Sequence, residues 1–317
     1  MEMQTKKTKR RFVTIGDFVA DCCYENNGNS QKLIKVDGGA SRFNVIANLA
    51  KRGYSTKIIS GQCNDKVGKM ILRYMDDLNV DTTDVIVKNG ETKKYHIIPT
   101  NYGSHLCQKT CPICGKNTWY NESIDDIDYY ISKVQRRDVI ILDNIEIAME
   151  ELLHSNNDKV LDLGRIKKLL PLSKSQIKHL LRGNLEILQL NEVVEKYLLA
   201  VFNIESLKEL YKILHPKLLI VTRGKKGTDF IYRNYLYSKL LKNPKKEIDD
   251  TGAGDAFLSV IIQEYYNNNK MVNQQFIDET FEKAIKVTSE VVSNLGARGH
   301  LYEGYYPKGT CDCMCEK

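Results

Sequence analysis

The chain of 317 residues holds no apolar run near the ~18 residues that a membrane-spanning helix requires. Its start lacks the charged-then-apolar order of a secretory leader. No internal repeat is visible, and no low-complexity segment beyond the basic amino-terminal stretch Lys6, Lys7, Lys9, Arg10 and Arg11. These absences lead us to expect a cytoplasmic protein with no membrane partner. In that compartment the nine cysteines point to thiols or metal ligands before disulfides. The charge excess of +7, from 47 basic and 40 acidic residues, comes partly from the basic stretch. A stretch of that kind is more often a solvated, frayed end than a nucleic-acid arm, so we read residues 1–11 as a disordered tail and expect no nucleic-acid partner. The length suits one large α/β domain, alone or with a smaller appendage.

What is present centres on Ile248-Asp249-Asp250-Thr251-Gly252-Ala253-Gly254-Asp255-Ala256-Phe257, which leads into the apolar run Ala256 to Ile262. A glycine-rich turn opening a buried helix leaves the N–H groups of Gly252, Ala253 and Gly254 without intrahelical partners, and the helix dipole adds partial positive charge there. Such a turn can cradle a phosphate close to the backbone. Asp255, in the first helical turn, could then take a proton from a hydroxyl brought to that phosphate. A capped turn whose aspartate only complements the dipole is the plainer reading of the same residues.

In chain order, Phe12 to Ala20 reads as a buried strand with Asp21 at its carboxyl end. That is where ligands sit in open α/β sheets, although an Asx turn would use the same residue. Leu33 to Val36 is a short strand before the turn Asp37-Gly38-Gly39. Phe43, Ile46, Ala47 and Ala50 recur at helical spacing over about 41–52, and Asn44 could point an amide at a ligand near Gly38 and Gly39. Strand 57–60, helix 67–78, short strands at 85–87 and 94–98 flanking a turn at Asn89-Gly90, helix 124–134, strand 139–142, helix 145–154 and strand 159–163 continue the alternation. Helix 173–181 with Ser173 as N-cap, strand 185–190 ending on Asn191, helix 193–201, strand 217–222, a hairpin about Arg233-Asn234 and helix 274–294 complete it. Strand and helix in turn predict a parallel sheet with crossover helices.

Taken together, the Gly-Asp strand with Asp21, Gly38-Gly39 with Asn44, Asn191, Thr222-x-Gly224-x-x-Gly227 and the Asp-Thr-Gly-Ala-Gly-Asp-Ala-Phe segment resemble the ribokinase-like (PfkB) family of carbohydrate and nucleoside kinases, over roughly residues 12–305. The resemblance implies a three-layer α/β/α fold with a central, mostly parallel sheet and a small β-lid, the lid falling at about 31–37 and 85–122. It implies ATP-dependent phosphorylation of a hydroxyl on a sugar, sugar derivative or nucleoside, with Mg2+, and a possible homodimer through the lid. By position, Asp255 resembles the base and Gly252, Ala253 and Gly254 the anion hole. Asp21, Gly38, Gly39 and Asn44 resemble substrate contacts, and Asn191, Thr222, Gly224, Gly227, Asn294 and Gly296 the nucleotide side. Val194 stands where the family has a glutamate that helps hold the metal's water shell, and in a helix Glu192 and Glu195 point about 160° and 100° away from it. The glycine turn is one residue longer than the family's, and Gly164 replaces an asparagine in Asp162-Leu163-Gly164-Arg165. A catalytically weakened member that only binds ligand or nucleotide is the alternative these departures suggest.

Cys107-x3-Cys111-Pro-Ile-Cys114-Gly falls in a polar insert at 105–116, inside the expected lid, and Cys311-x-Cys313-x-Cys315 in the carboxyl-terminal stretch 306–317. A Cys-Pro-x-Cys-Gly knuckle presents two sulfurs to a metal, so we expect structural zinc, with His105 or the second cluster completing the site. An iron–sulfur cluster, a redox disulfide or incidental thiols are the alternatives.

Overall fold

Apolar strands alternating with amphipathic helices build the larger of two sheets, as the pattern predicts. In this computed structural model the described residues are 10–26, 31–99, 105–119, 127–242 and 248–302. Cys311, Cys313 and Cys315, the side chain of His105 and all but the last two residues of the basic tail lie outside them. The chain runs through β1 (Arg11–Ile15), β2 (Val19–Asn26), β3 (Gln31–Gly38), α1 (Ser41–Lys51), β4 (Ser55–Cys63), α2 (Lys66–Asp77), β5 (Asp81–Lys88), β6 (Lys93–Pro99) and β7 (His105–Gln108). It continues through α3 (Ile127–Ser132), β8 (Val139–Leu142), α4 (Glu150–His154), β9 (Asp158–Leu163), α5 (Lys174–Leu181), β10 (Leu185–Asn191), α6 (Glu192–Phe202) and α7 (Leu207–Leu214). The last elements are β11 (Leu218–Thr222), β12 (Thr228–Tyr232), β13 (Tyr235–Lys239), α8 (Ala253–Asn267) and α9 (Gln274–Val291).

The large sheet has the order β13-β12-β11-β10-β9-β8-β1-β4-β5, parallel from β11 to β5, with an antiparallel hairpin at one edge. Successive side chains of one strand face opposite sides, so Phe12 joins one core with α1, α2, α8 and α9, while Val13 and Ile15 join another with α4 to α7. Helix ends follow the local chemistry. Ser173 and Ser206 form capping boxes with Gln176 and Glu209, worth about 1 kcal/mol each, and α6 stops where Asn203 turns left-handed. Strand order reverses beside β1, the place where an open α/β sheet leaves a crevice at its carboxyl edge.

The smaller sheet, β3-β2-β6-β7, is the lid. Two expectations are corrected here. The single strand expected over Phe12 to Ala20 is two strands in different sheets, broken at Gly16, whose φ of 118° favours glycine. Both halves are apolar because each is buried, so the sequence shows no break in pattern. Strands do flank Asn89-Gly90, but in different sheets: β5 edges the large sheet, outside the lid expected over about 85–122, and β6 lies within the small one. That turn carries the chain between sheets.

Candidate active site

Helix α8 begins at Gly252, which is left-handed (φ 80°) and packed so closely that an added Cβ would lie 2.6 Å from the Ala297 Cβ. The Asp249 carboxylate accepts from the Thr251 N–H at 2.9 Å and the Gly296 N–H at 2.8 Å, so it ties the turn to the loop after α9. Ala253 N–H donates to the Asp250 carbonyl at 3.1 Å, which takes it out of the expected anion hole. At Gly252, Gly254 and the first turn of a 15-residue helix, minimal side chains and the positive end of the dipole remain.

Asp255 is 6% exposed and accepts from the Asn44 Nδ2 at 2.7 Å. Burial raises its pKa above the ordinary carboxylate value; hydrogen bonds from Asn44 and Ser41 oppose this, Asp143 adds to it and Arg165 opposes it. A buried carboxylate with a raised pKa suits a base working near neutrality. Asp162, at the end of β9, is also raised, by burial and by the Asp255 charge, and accepts from Gln189 Nε2 at 3.2 Å. Gln189 Nε2 also lies 3.3 Å from the Gly254 carbonyl, which ties β10 to the helix turn.

Asn44, expected to aim its amide at a ligand beside the Gly38-Gly39 turn, uses both ends of that amide within the protein. Its Oδ1 accepts at 2.7 Å from the Nε of Arg298, a fully buried guanidinium that also donates to the Gly39 carbonyl at 3.1 Å. Gly38 and Gly39 have a corresponding use. A Cβ on Gly38 would lie 1.9 Å from Arg298 Nη1, and one on Gly39 would lie 2.3 Å from Asp21 Oδ1. The pair makes room for the Arg298 and Asp21 side chains. Arg298 was missed in the sequence because nothing near it in the chain signals a site 254 residues away.

On the lid side, Asp21 pairs in register with Tyr95 across β2 and β6. Burial lifts its pKa to about 7, against the Arg165 and Arg298 charges and with help from Asp37 and Asp255. The Arg165 guanidinium lies 4.7 Å from the Tyr95 ring centre and hydrogen-bonds Cys107. Arg42, in the first turn of α1, binds Asp143 at 2.6 Å. Asp21, Tyr95, Cys107, Arg165 and Asp143 thus form one electrostatic neighbourhood linked to Asp255.

Of the expected nucleotide residues, Asn191, Thr222, Gly224 and Gly227 stand at or just beyond the carboxyl ends of β10 and β11. Asn191 ends β10, where its Oδ1 caps α6 through the Val194 N–H at 2.9 Å, and Thr222 ends β11 beside it in register. Gly224 and Gly227 are both left-handed, at φ 54° and 106°, and the Gly227 backbone lies against Lys239. Asn294 donates to the Glu290 carbonyl at 2.7 Å at the end of α9. The metal role at Val194 does not fit: Val194 is buried, Glu195 is gripped by Arg223 at 2.5 and 2.8 Å, and Glu192 is paired with Lys196 and Lys226.

The cysteines also differ from expectation. Among the described residues no group of three or more His, Cys, Asp or Glu could hold a metal ion, and no disulfide is formed. Cys107 turns to Arg165, whereas Cys111 is buried with its sulfur 3.9 Å from the Tyr24 hydroxyl. The knuckle closes a hairpin instead: Cys111 N–H donates to the Lys116 carbonyl at 2.8 Å and Gly115 N–H to the Cys111 carbonyl at 3.0 Å. Neither zinc nor an iron–sulfur cluster finds support there.

The description "pfkB family carbohydrate kinase" matches residues 9–301. The chain belongs to that family. It is 22% identical over 288 residues to a fructokinase of Salmonella typhimurium, covering 85% of this chain and 89% of the relative. Its fold matches a nucleoside kinase of Methanocaldococcus jannaschii, an archaeal member of the ribokinase family, with a TM-score of 0.69, 16% identity and coverage of 92% and 94%. It also matches a fructokinase with bound ATP from Xylella fastidiosa, with a TM-score of 0.72, 13% identity and coverage of 92% and 95%. The PfkB chain is thus a kinase with the ribokinase-like fold and a separate lid sheet. None of its described helices is long and apolar enough to cross a membrane.

Proposed function

We propose that this PfkB kinase transfers the terminal phosphoryl group of ATP to a hydroxyl of a small sugar, sugar derivative or nucleoside, with Asp255 as the base. The observation that carries the reading is the buried Asp255 carboxylate, held by Asn44 in the first turn of α8 beside the open glycine turn. The acceptor hydroxyl gives its proton to Asp255 as its oxygen bonds to the terminal phosphorus. The bond to the bridging oxygen breaks, and ADP leaves with that electron pair. Gly252, Gly254 and the helix dipole stabilise charge on the transferring group, while Asp21 holds the acceptor under the lid. Asn191, Thr222, Gly224, Gly227, Asn294 and Gly296 form the nucleotide side of this reading.

The test is acceptor-dependent ADP release across a sugar and nucleoside panel, repeated with Asp255→Asn. The substitution should lower kcat by about 10²- to 10⁴-fold with little change in nucleotide affinity. Unchanged turnover would remove Asp255 from the role of base.

A further inference from the structure

The hydrogen bonds of Arg298 go to Asn44, Gly39 and Tyr302 rather than to Asp255, yet they decide how a residue that does touch Asp255 is oriented. A guanidinium carries only donors, so the atom of Asn44 facing Arg298 Nε at 2.7 Å has to be the amide oxygen. The amide nitrogen is then left for Asp255 Oδ2, at 2.7 Å. Without that constraint an asparagine amide can flip and set its oxygen against a carboxylate. The guanidinium is itself fixed, by the Gly39 carbonyl at 3.1 Å and the Tyr302 hydroxyl at 3.4 Å, the latter donating to Asp37 at 2.9 Å.

We propose that Arg298 is a positioning residue for Asp255, keeping the Asn44 amide turned with its nitrogen toward the carboxylate. The proposal rests on the reading of Asp255 as base. The amide nitrogen stabilises the ionised carboxylate, and the reversed amide would destabilise it. Asp255 also faces Asp143 and Asp162, which resist its ionisation, and Arg165 and Ser41, which favour it. Arg298 itself faces Asp21, Asp37 and Tyr302, and Lys35 on β3 pairs with Asp37 at 3.1 Å.

Two variants, Arg298→Met and Arg298→Lys, test this, with kcat/KM measured against pH and the Asp255 carboxyl followed by infrared difference spectroscopy, its band assigned with Asp255→Asn. Arg298→Met should move the acidic limb upward by about 1 pH unit, a tenfold loss on that limb, with the carboxyl band titrating alongside. Arg298→Lys, which keeps the charge without the fork, should fall between. Asn44→Ala should give the same upward shift, and its combination with Arg298→Met should add nothing further. A lowered melting temperature with the limb and the carboxyl band unmoved in all of these variants would make Arg298 structural and overturn the proposal. A shifted carboxyl band with an unmoved limb would support the positioning and overturn Asp255 as base.

Discussion

Replacing Gly38 with alanine isolates the packing of Arg298 from its chemistry. The new Cβ would lie 1.9 Å from Nη1 and 2.7 Å from Cζ of a rigid, fully buried guanidinium. If the group stays, overpacking costs about 1–3 kcal/mol. If it is displaced, the Asn44 oxygen and the Gly39 carbonyl lose their donor, at about 1–3 kcal/mol each. Either route puts the cost of Gly38→Ala at roughly 3 kcal/mol. Arg298→Met has its own cost, but it removes the plane with which the new methyl collides. In the double variant most of the Gly38→Ala cost should therefore vanish, giving a coupling of about 2 kcal/mol. Urea midpoints at a common slope measure all four corners of the cycle. Gly164→Ala is the control, because no atom lies within 4 Å of its added Cβ, and it should shift stability by less than about 0.5 kcal/mol. Additivity within about 0.5 kcal/mol would refute the account of why glycine stands at 38.

The remaining predictions concern other parts of the site. Gly252→Ala combines a left-handed backbone with a contact 2.7 Å from the Ala297 Cα, and should lower stability by at least about 2 kcal/mol and raise the KM for ATP, read by unfolding and steady-state kinetics. Asp21 is more readily protonated folded, near pH 7, than unfolded, so its contribution falls as pH rises from about 4 through 7. Asp21→Asn should therefore raise the melting temperature more at pH 8 than at pH 5 while raising the acceptor KM; equal effects at both pH values would contradict the buried assignment. Glu195→Ala leaves the Arg223 fork half satisfied and should cost roughly 2 kcal/mol in urea unfolding, with a larger effect on the KM for ATP than for acceptor.

The alternation of strands and helices was legible because parallel strands buried on both faces are continuous apolar runs and their helices keep a 3.6-residue period. The helix at Asp255 was legible because glycine turn chemistry and an apolar run adjoin in sequence. The division between the sheets was not, since Ile15 and Phe18 are both buried on opposite sides of the break, and hydrophobicity records burial without recording in which layer. The purpose of Gly38 was hidden for another reason. Its φ is ordinary, and the need for it comes from Arg298, at the far end of the chain. Asn44 was picked out as a site residue, but its aim depends on that same arginine. The Cys-Pro-Ile-Cys-Gly motif shows the opposite error, because a turn able to present two sulfurs is also a turn that closes a hairpin.

Asp17 lies in the β1–β2 link and meets Lys93 at 3.0 Å and Lys88 at 3.6 Å, from the two ends of the β5–β6 link, as well as the Tyr130 hydroxyl at 2.9 Å. Two of the passages between core and lid are thus pinned at one carboxylate. The small sheet is also tied to the core chemistry at a second place, because Asp37 on β3 holds Tyr302 and the Gly39 carbonyl holds Arg298, whose Nε binds Asn44 beside Asp255.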